Sequence, residues 1–320
     1  MNNLSQFDAW LTRTQNVAFQ EKRDALDTIY DKFTRDGDVS EADYRSVTSA
    51  GLGQMGFTSE GGANHRDEYM PGPELIVKFK KFTNSLIWPE ELIEDMYNNG
   101  RVKKDKVQLF VNAGDDFLES ANWTRETITA DLVLRGNSTT VTNTYPGVFR
   151  DGLALASTSH VTIKGTPVTW SNLQTGSTMS QLALLEGIKM LADIPTEEGR
   201  PQGAVGDIGL IYGRFNMHRV TELLQTPQQP DTMNNNVNPL MKKIEGVGRI
   251  IPILNPYLGT AFTGWALIDM KNHKLLRFEK KKPTISKDTD INTGNRIQRC
   301  VMRYAIHADS AKGYLLNPGV

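Results

Sequence analysis

Asp151, Ser157, Ser159 and His160 fall within one ten-residue stretch and supply the residue types of a nucleophilic triad. Such a triad needs a serine, a histidine to take its proton and a carboxylate to orient the histidine, all within hydrogen-bond reach. The spacing opposes it. Ser159 and His160 are neighbours, and neighbouring side chains on an extended strand point to opposite faces. No G-x-S-x-G elbow accompanies them. The better reading is a set of polar residues in a loop and hairpin.

Other patterns fail for reasons as specific. Gly51-Leu52-Gly53-Gln54-Met55-Gly56 spells GxGxxG. A dinucleotide site, however, needs a strand before the motif and a helix after it. Here a charged, helix-like segment precedes it and Phe57–Gly62 cannot start a helix, which leaves a Gly-rich loop. Asp31–Asp43 resembles a calcium loop, yet with Gly37 in the glycine position Lys32 occupies the first ligand place. A helix–turn–helix with Ser40 as the second cap is favoured. His65, His218, His273 and His307 lack metal-ligand spacing, and Cys300 is the single cysteine, so thiolate metal sites and internal disulfides are excluded. The acidic pairs Asp115-Asp116 and Glu197-Glu198 lie outside apolar runs. No cofactor and no metal are expected.

The basic clusters Lys78-Lys80-Lys81, Arg101–Lys106 and Lys280-Lys281-Lys282 stand beside Glu74, Asp105 and Glu279. They read as solvated charges or as charges between copies. A nucleic-acid groove also wants interleaved aromatics, and Phe79 alone does not make one. The net charge of −1 over 320 residues agrees. No apolar run approaches the ~20 residues of a membrane span, and the first ten residues lack a signal peptide's pattern.

The elements that must position these residues are mixed α and β. Ser5 can cap a helix with Phe7, Trp10, Leu11 and Thr14 on one face, and Leu26, Ile29, Tyr30 and Phe33 form a second stripe. Both stripes are narrow and need a covering partner. Glu74–Lys81 and Leu86-Ile87-Trp88 read as two strands of an extended hairpin about Thr83-Asn84-Ser85. Val107, Phe110, Val111, Gly114, Phe117, Leu118 and Ala121 repeat as a strong helix. Thr124 can cap another with Ile128 and Leu132, ending at Gly136. Ser180 caps a helix with Leu184, Leu185, Ile188 and Leu191. Ile208–Tyr212 is a strand, and Asn216 caps a helix with Val220, Leu223 and Leu224. Thr226–Asn238 is a polar loop. Val247–Leu254, Gly264–Met270 and Lys274–Lys280 read as strands, with Lys271-Asn272-His273 as a hairpin turn. Along Ile297–Ala308, Cys300, Met302, Tyr304 and Ile306 alternate with Arg299 and Arg303.

The order of these pieces carries a resemblance: an amphipathic helix, Asp151-Gly152-Leu153-Ala154-Leu155-Ala156-Ser157-Thr158-Ser159-His160, Asn172-Leu173, then Met179-Ser180 opening a helix. The series continues through Ile208–Tyr212, the Asn216–Leu224 helix, Asn234–Asn238, Trp265–Asp269 and a long strand with Arg296, Arg299 and Arg303. It resembles the major capsid proteins of tailed bacteriophages, more narrowly the Mu-like major head subunits, and covers most of the chain. The resemblance implies an α+β, Hong Kong 97-type capsid fold and a self-assembling structural protein without catalytic residues. Residues 1–47 would be an N-terminal arm, and 48–100 an extended loop over a neighbouring subunit. Residues 101–179 and 274–320 would be a peripheral domain with a spine helix at Val102–Ala121, and 180–273 an axial domain.

Contacts between copies are expected at Trp10, Phe33, Lys78, Lys80, Lys81, Trp88, Asn235, Asn236, Arg299 and Arg303. The expected partners are further copies in hexamers and pentamers, a separate scaffolding protein because the chain starts at Met1, a portal and decoration proteins. Enclosed double-stranded DNA would be held without sequence-specific binding, in a virion assembled in the bacterial cytoplasm. Lys80 and Lys81 sit where some members cross-link, but no acceptor aligns, so no cross-link is expected. A nanocompartment shell of the same fold and a soluble enzyme are the alternatives.

Overall fold

The computed structural model describes residues 4–320 apart from 25–27, 53, 56, 59, 61–63, 99–100, 103, 165–166, 202–205, 229–236 and 242–245. Helix α1 (Leu4–Asp24) leads through a 3-10 turn at Tyr30–Lys32 to β1 (Arg35–Asp36), β2 (Asp43–Ala50), β3 (Met70–Lys78) and β4 (Lys80–Trp88). A short helix α2 (Glu90–Met96) and the strand pair β5 (Tyr97–Asn98) and β6 (Arg101–Val102) precede the long helix α3 (Lys104–Leu134). Then come β7 (His160–Val161), β8 (Thr169–Trp170), α4 (Gln181–Asp193), β9 (Ile208–Tyr212) and α5 (Met217–Gln225). The chain closes with β10 (Ile250–Leu254), β11 (Trp265–Asp269), β12 (Lys274–Thr289), β13 (Arg296–Ser310) and β14 (Tyr314–Asn317).

Two four-stranded sheets organise these elements, in the orders β1-β12-β13-β4 and β10-β9-β11-β14. In the second sheet every residue of β9 and β11 is buried. Both its faces are therefore covered, which is why IGLIY and WALID are unbroken apolar runs. One face packs Leu210, Trp265 and Leu267 against Leu184 and Ile188 of α4 and Leu223 of α5. The other packs Ile211, Ala266 and Ile268 with Ile128 and Leu132 of α3 and Ile306 of β13.

In the first sheet the alternation read from the sequence is present. Cys300, Met302, Tyr304 and Ile306 are buried, whereas Arg299 is exposed and Arg303 half-buried. Cys300 packs with Phe117 and Leu118 of α3 and Phe19 of α1. A buried polar network joins the three layers: Gln15 Nε2 donates to Phe110 O (2.9 Å), Gln298 Nε2 to Gln15 Oε1 (2.9 Å), and Trp88 Nε1 to Gln298 Oε1 (2.8 Å).

Several expectations are corrected. The helix expected to end near Ala121 and the one expected from Thr124 are a single 31-residue helix. Thr124 caps nothing; its hydroxyl donates back to Ser120 O at 2.8 Å, a bond that needs no break in the helix. The second stripe is one 3-10 turn at Tyr30–Lys32, with Leu26 outside the described residues. Ser40 opens no helix: it turns on Asp38 (3.0 Å) ahead of strand β2. Gly37 serves close packing, because a Cβ there would lie 2.2 Å from the Phe278 ring.

The hairpin is also paired differently. β3 pairs with β2 and β4 with β13, so Thr83-Asn84-Ser85 is mid-strand and the break falls at Phe79. Lys271-Asn272-His273 is a turn between sheets, since β11 pairs with β9 and β14 while β12 pairs with β13. Ser180 caps α4 as expected, accepting from Ala183 N (3.2 Å). Asn216 does not cap α5; its Nδ2 donates to Thr263 O at 2.8 Å. The α5 C-terminus is closed instead by Asn238 Nδ2, which donates to Leu223 O (2.6 Å) and Thr226 O (2.9 Å).

Candidate functional site

The Asp151–His160 stretch forms a strut. Strand β7 pairs with β8 so that His160 stands opposite Trp170, and the rings stack with centroids 4.5 Å apart. His160 is fully buried, and its Nδ1 is bonded to Asp151 Oδ2. Burial pushes the Asp151 pKa up, but the hydrogen bond and charge of His160 outweigh it and hold the carboxyl below its usual range. Ser159 is exposed and its hydroxyl meets Ser157 Oγ at 3.2 Å, while His160 Nε2 has no hydrogen-bond partner among the described residues. A carboxylate and a histidine are aligned without a serine, so the hydroxyl-activating step of a triad has no geometry here.

The GxGxxG loop follows strand β2, which the sequence reading took for helix-like, but no helix follows it among the described residues. Its edges are pinned. Gly51 N donates to Glu198 Oε1 (2.7 Å). Lys164 Nζ donates to Gly51 O (2.9 Å) and Glu68 O (2.6 Å), and pairs with Asp67 (2.6 Å). Burial raises the Glu198 pKa, yet the Gly51 N–H, the Thr196 hydroxyl, its own N–H and Arg200 prevail and hold it at about 2. Nearer the body, Arg150 bonds Ser46 and Thr48 of β2 and pairs with Asp309 of β13. Beyond these pins Phe57 is 97% and Met55 95% exposed, and among the pinned strands Val47 and Ile76 also face solvent.

The open face of the first sheet carries a row of like charges. Lys81 of β4, Arg303 of β13 and Lys281 of β12 stand directly opposite one another in register. Residues opposite one another in a sheet share a face, and like charges so placed repel. Arg299, four residues back along β13, shares that face between Ser85 and Ser286. None of these four has an ion pair among the described residues.

The other expected contact residues divide. Phe33 and Trp88 lie in the chain's own core, 1% and 6% exposed, with the Trp88 and Phe110 ring centroids 5.4 Å apart. Lys80 donates to Thr142 O (3.0 Å) and Asn143 O (3.1 Å) of its own chain. Lys78 is exposed opposite Asp43. Trp10 lies on α1 with its side chain outside the described residues, as are Asn235 and Asn236 entirely. Arg150 and Lys164 carry no signal in the sequence, each lying far from what it binds, and Glu198 shows there only as half of an acidic pair. Lys281 was visible only as part of a basic cluster. Among the described residues no His, Cys, Asp or Glu group could hold a metal ion, and no helix is long and apolar enough to cross a membrane.

No protein-family model matches the sequence, and no curated protein matches it. Solved structures do match in fold. The asymmetric unit of the bacteriophage PhiM1 mature capsid superposes with a TM-score of 0.54 at 11% identity, covering 91% of this chain and 86% of that one. The capsid of a native GTA particle gives 0.53 at 9% identity over 91% and 90% of the two chains. The capsid of an empty GTA particle gives 0.51 at 10% over the same shares. The chain has the α+β Hong Kong 97-type capsid fold.

Proposed function

We propose that this chain is a structural shell subunit that self-assembles into hexamers and pentamers, forming an icosahedral phage head around double-stranded DNA. The observation that carries the reading is the β2–β3 hairpin of a capsid fold, which holds apolar side chains out in solvent beyond its pins. A two-stranded hairpin has little stability of its own, and an adjacent copy would supply the missing cover. The unpaired row Lys81–Arg303–Lys281, with Arg299, supports a contact between copies on that face. Head-to-tail contacts close into rings when the rotation between successive copies closes.

In this reading residues 1–47 are the arm and 48–100 the extended loop. The peripheral domain comprises 101–179 and 274–320, and the axial domain 180–273. The motif order supports the Mu-like branch. Scaffolding, portal and decoration proteins would be separate partners, assembly would take place in the host cytoplasm, and the product would be the virion. No residue is catalytic, and the strut geometry of Asp151 and His160 supports that. Electron microscopy of the expressed protein tests the proposal: closed shells are expected, and a strictly monomeric protein under all assembly conditions would refute it.

A further inference from the structure

We propose that the cationic row on the open face of the first sheet docks the acidic helix α2 of a second copy of this chain. The inference rests on the shell reading and names the partner of that face. Lys81, Lys281 and Arg299 are exposed and Arg303 is half-buried, and none of the four has an ion pair among the described residues. Like charges on neighbouring strands oppose folding, a cost that a docked anion removes.

Helix α2 carries the matching charge. Glu90, Glu91 and Glu94 are exposed, likewise have no ion pair among the described residues, and share their helix with no basic residue. Successive helical residues turn by about 100°, so these three carboxylates fall on one face, with Glu90 and Glu94 about 6 Å apart along the axis. Lys81, Arg303 and Lys281 stand on neighbouring strands, about 4.8 Å apart. A helix laid across the strands therefore sets carboxylates over cations at similar intervals.

The two surfaces do not meet within one chain. α2 begins past Trp88, the last residue of β4, and Lys81 lies seven residues back along that strand, about 23 Å at the rise of a strand. Arg299, opposite Ser85, is nearer, yet still about 10 Å short of that strand end. Other exposed carboxylates have cations at hand in their own chain: Asp43 stands opposite Lys78 on the hairpin, and Asp115 pairs with Lys22 at 2.9 Å. A contact that joins one surface to a different one on the next copy is head-to-tail, the kind from which rings are built.

Charge reversal in the full chain tests the pairing, with assembly followed by light scattering and electron microscopy. Arg303→Glu, and separately Glu91→Lys together with Glu94→Lys, should each slow assembly about tenfold, since opposed charges govern encounter. Lys81→Glu, at an exposed strand position, repeats the first arm independently. The variant reversed on both surfaces should regain most of the wild-type rate, with circular dichroism and Tm checking that each subunit folds. Wild-type rates in the singly reversed variants would overturn the pairing and leave the shell reading standing, whereas no association by wild type would overturn both. A loss of assembly that the double reversal does not restore would show that the row and the helix meet other groups, and would overturn the pairing as well.

Discussion

Neutralising Arg303 should act in opposite directions on the subunit and on its assembly. Arg303 stands between Lys81 and Lys281 in register, so the folded chain carries two directly opposed like-charge pairs. Each such pair opposes folding by a few tenths to about 1 kcal/mol, less where solvent screens it. Arg303→Gln removes both pairs and keeps a similar aliphatic stem. The unassembled subunit should gain about 0.5–1.5 kcal/mol, which raises its Tm by roughly 1–4 °C in a chain of this size. If the row meets anionic groups of a neighbouring copy, the same change should slow or abolish shell formation, followed by light scattering and electron microscopy. Raising salt should shrink the Tm difference between variant and wild type, because exposed charges are screened over about 8 Å at physiological ionic strength. A variant less stable than wild type, or one that assembles at the wild-type rate, would refute the reasoning.

Gln298→Leu leaves Trp88 Nε1–H and Gln15 Oε1 unmet in the core, and should cost about 2–4 kcal/mol in chemical denaturation. Gly37→Ala drives a methyl into the Phe278 ring and should cost about 1–3 kcal/mol by the same assay. Glu198 has a folded pKa of about 2 against an ordinary 4.5, so its contribution is complete above 4.5 and fades as pH falls towards 2. Glu198→Gln should flatten the acid limb of the stability profile over that range. Burial, with help from Arg35, lowers the His273 pKa from 6.5 to about 4. Its unfolded form takes up a proton first, so stability should begin to fall below pH 6.5 and level off near 4, and His273→Gln should remove that limb.

Local chemistry was legible in the sequence and distant pairing was not. Ser180 as a cap, Ile208–Tyr212 as a buried strand and the two-faced strand around Tyr304 each follow from residues close in sequence. Thr124 has the residue type of a cap, but whether its hydroxyl caps a helix or bonds back one turn depends on whether the helix continues, and packing against β13 decides that. Gly37 carries the signature of a turn, while the ring that requires it to lack a Cβ is Phe278, on another strand far along the chain.

The hairpin shows the same limit at a higher level. The sequence marks Glu74–Lys81 as a strand and the segment before Gly51 as helix-like; in the fold they pair as β3 and β2, and Leu75 and Val77 bury one face against Phe278. The opposite face, with Ile76 and Val47, stays wet within one chain. A sequence selected for the monomer alone would place polar residues there, since a solvated sheet face normally alternates. The pins at Arg150, Lys164 and Glu198 hold the hairpin in one pose on its own subunit before any partner arrives. In the proposed shell that lowers the ordering entropy lost when the hairpin docks on a neighbouring copy. Cutting the pins while leaving the exposed face intact, as in Lys164→Ala, should therefore slow assembly without removing any residue of the docking surface, whereas an equal rate would show that the pins serve the subunit alone.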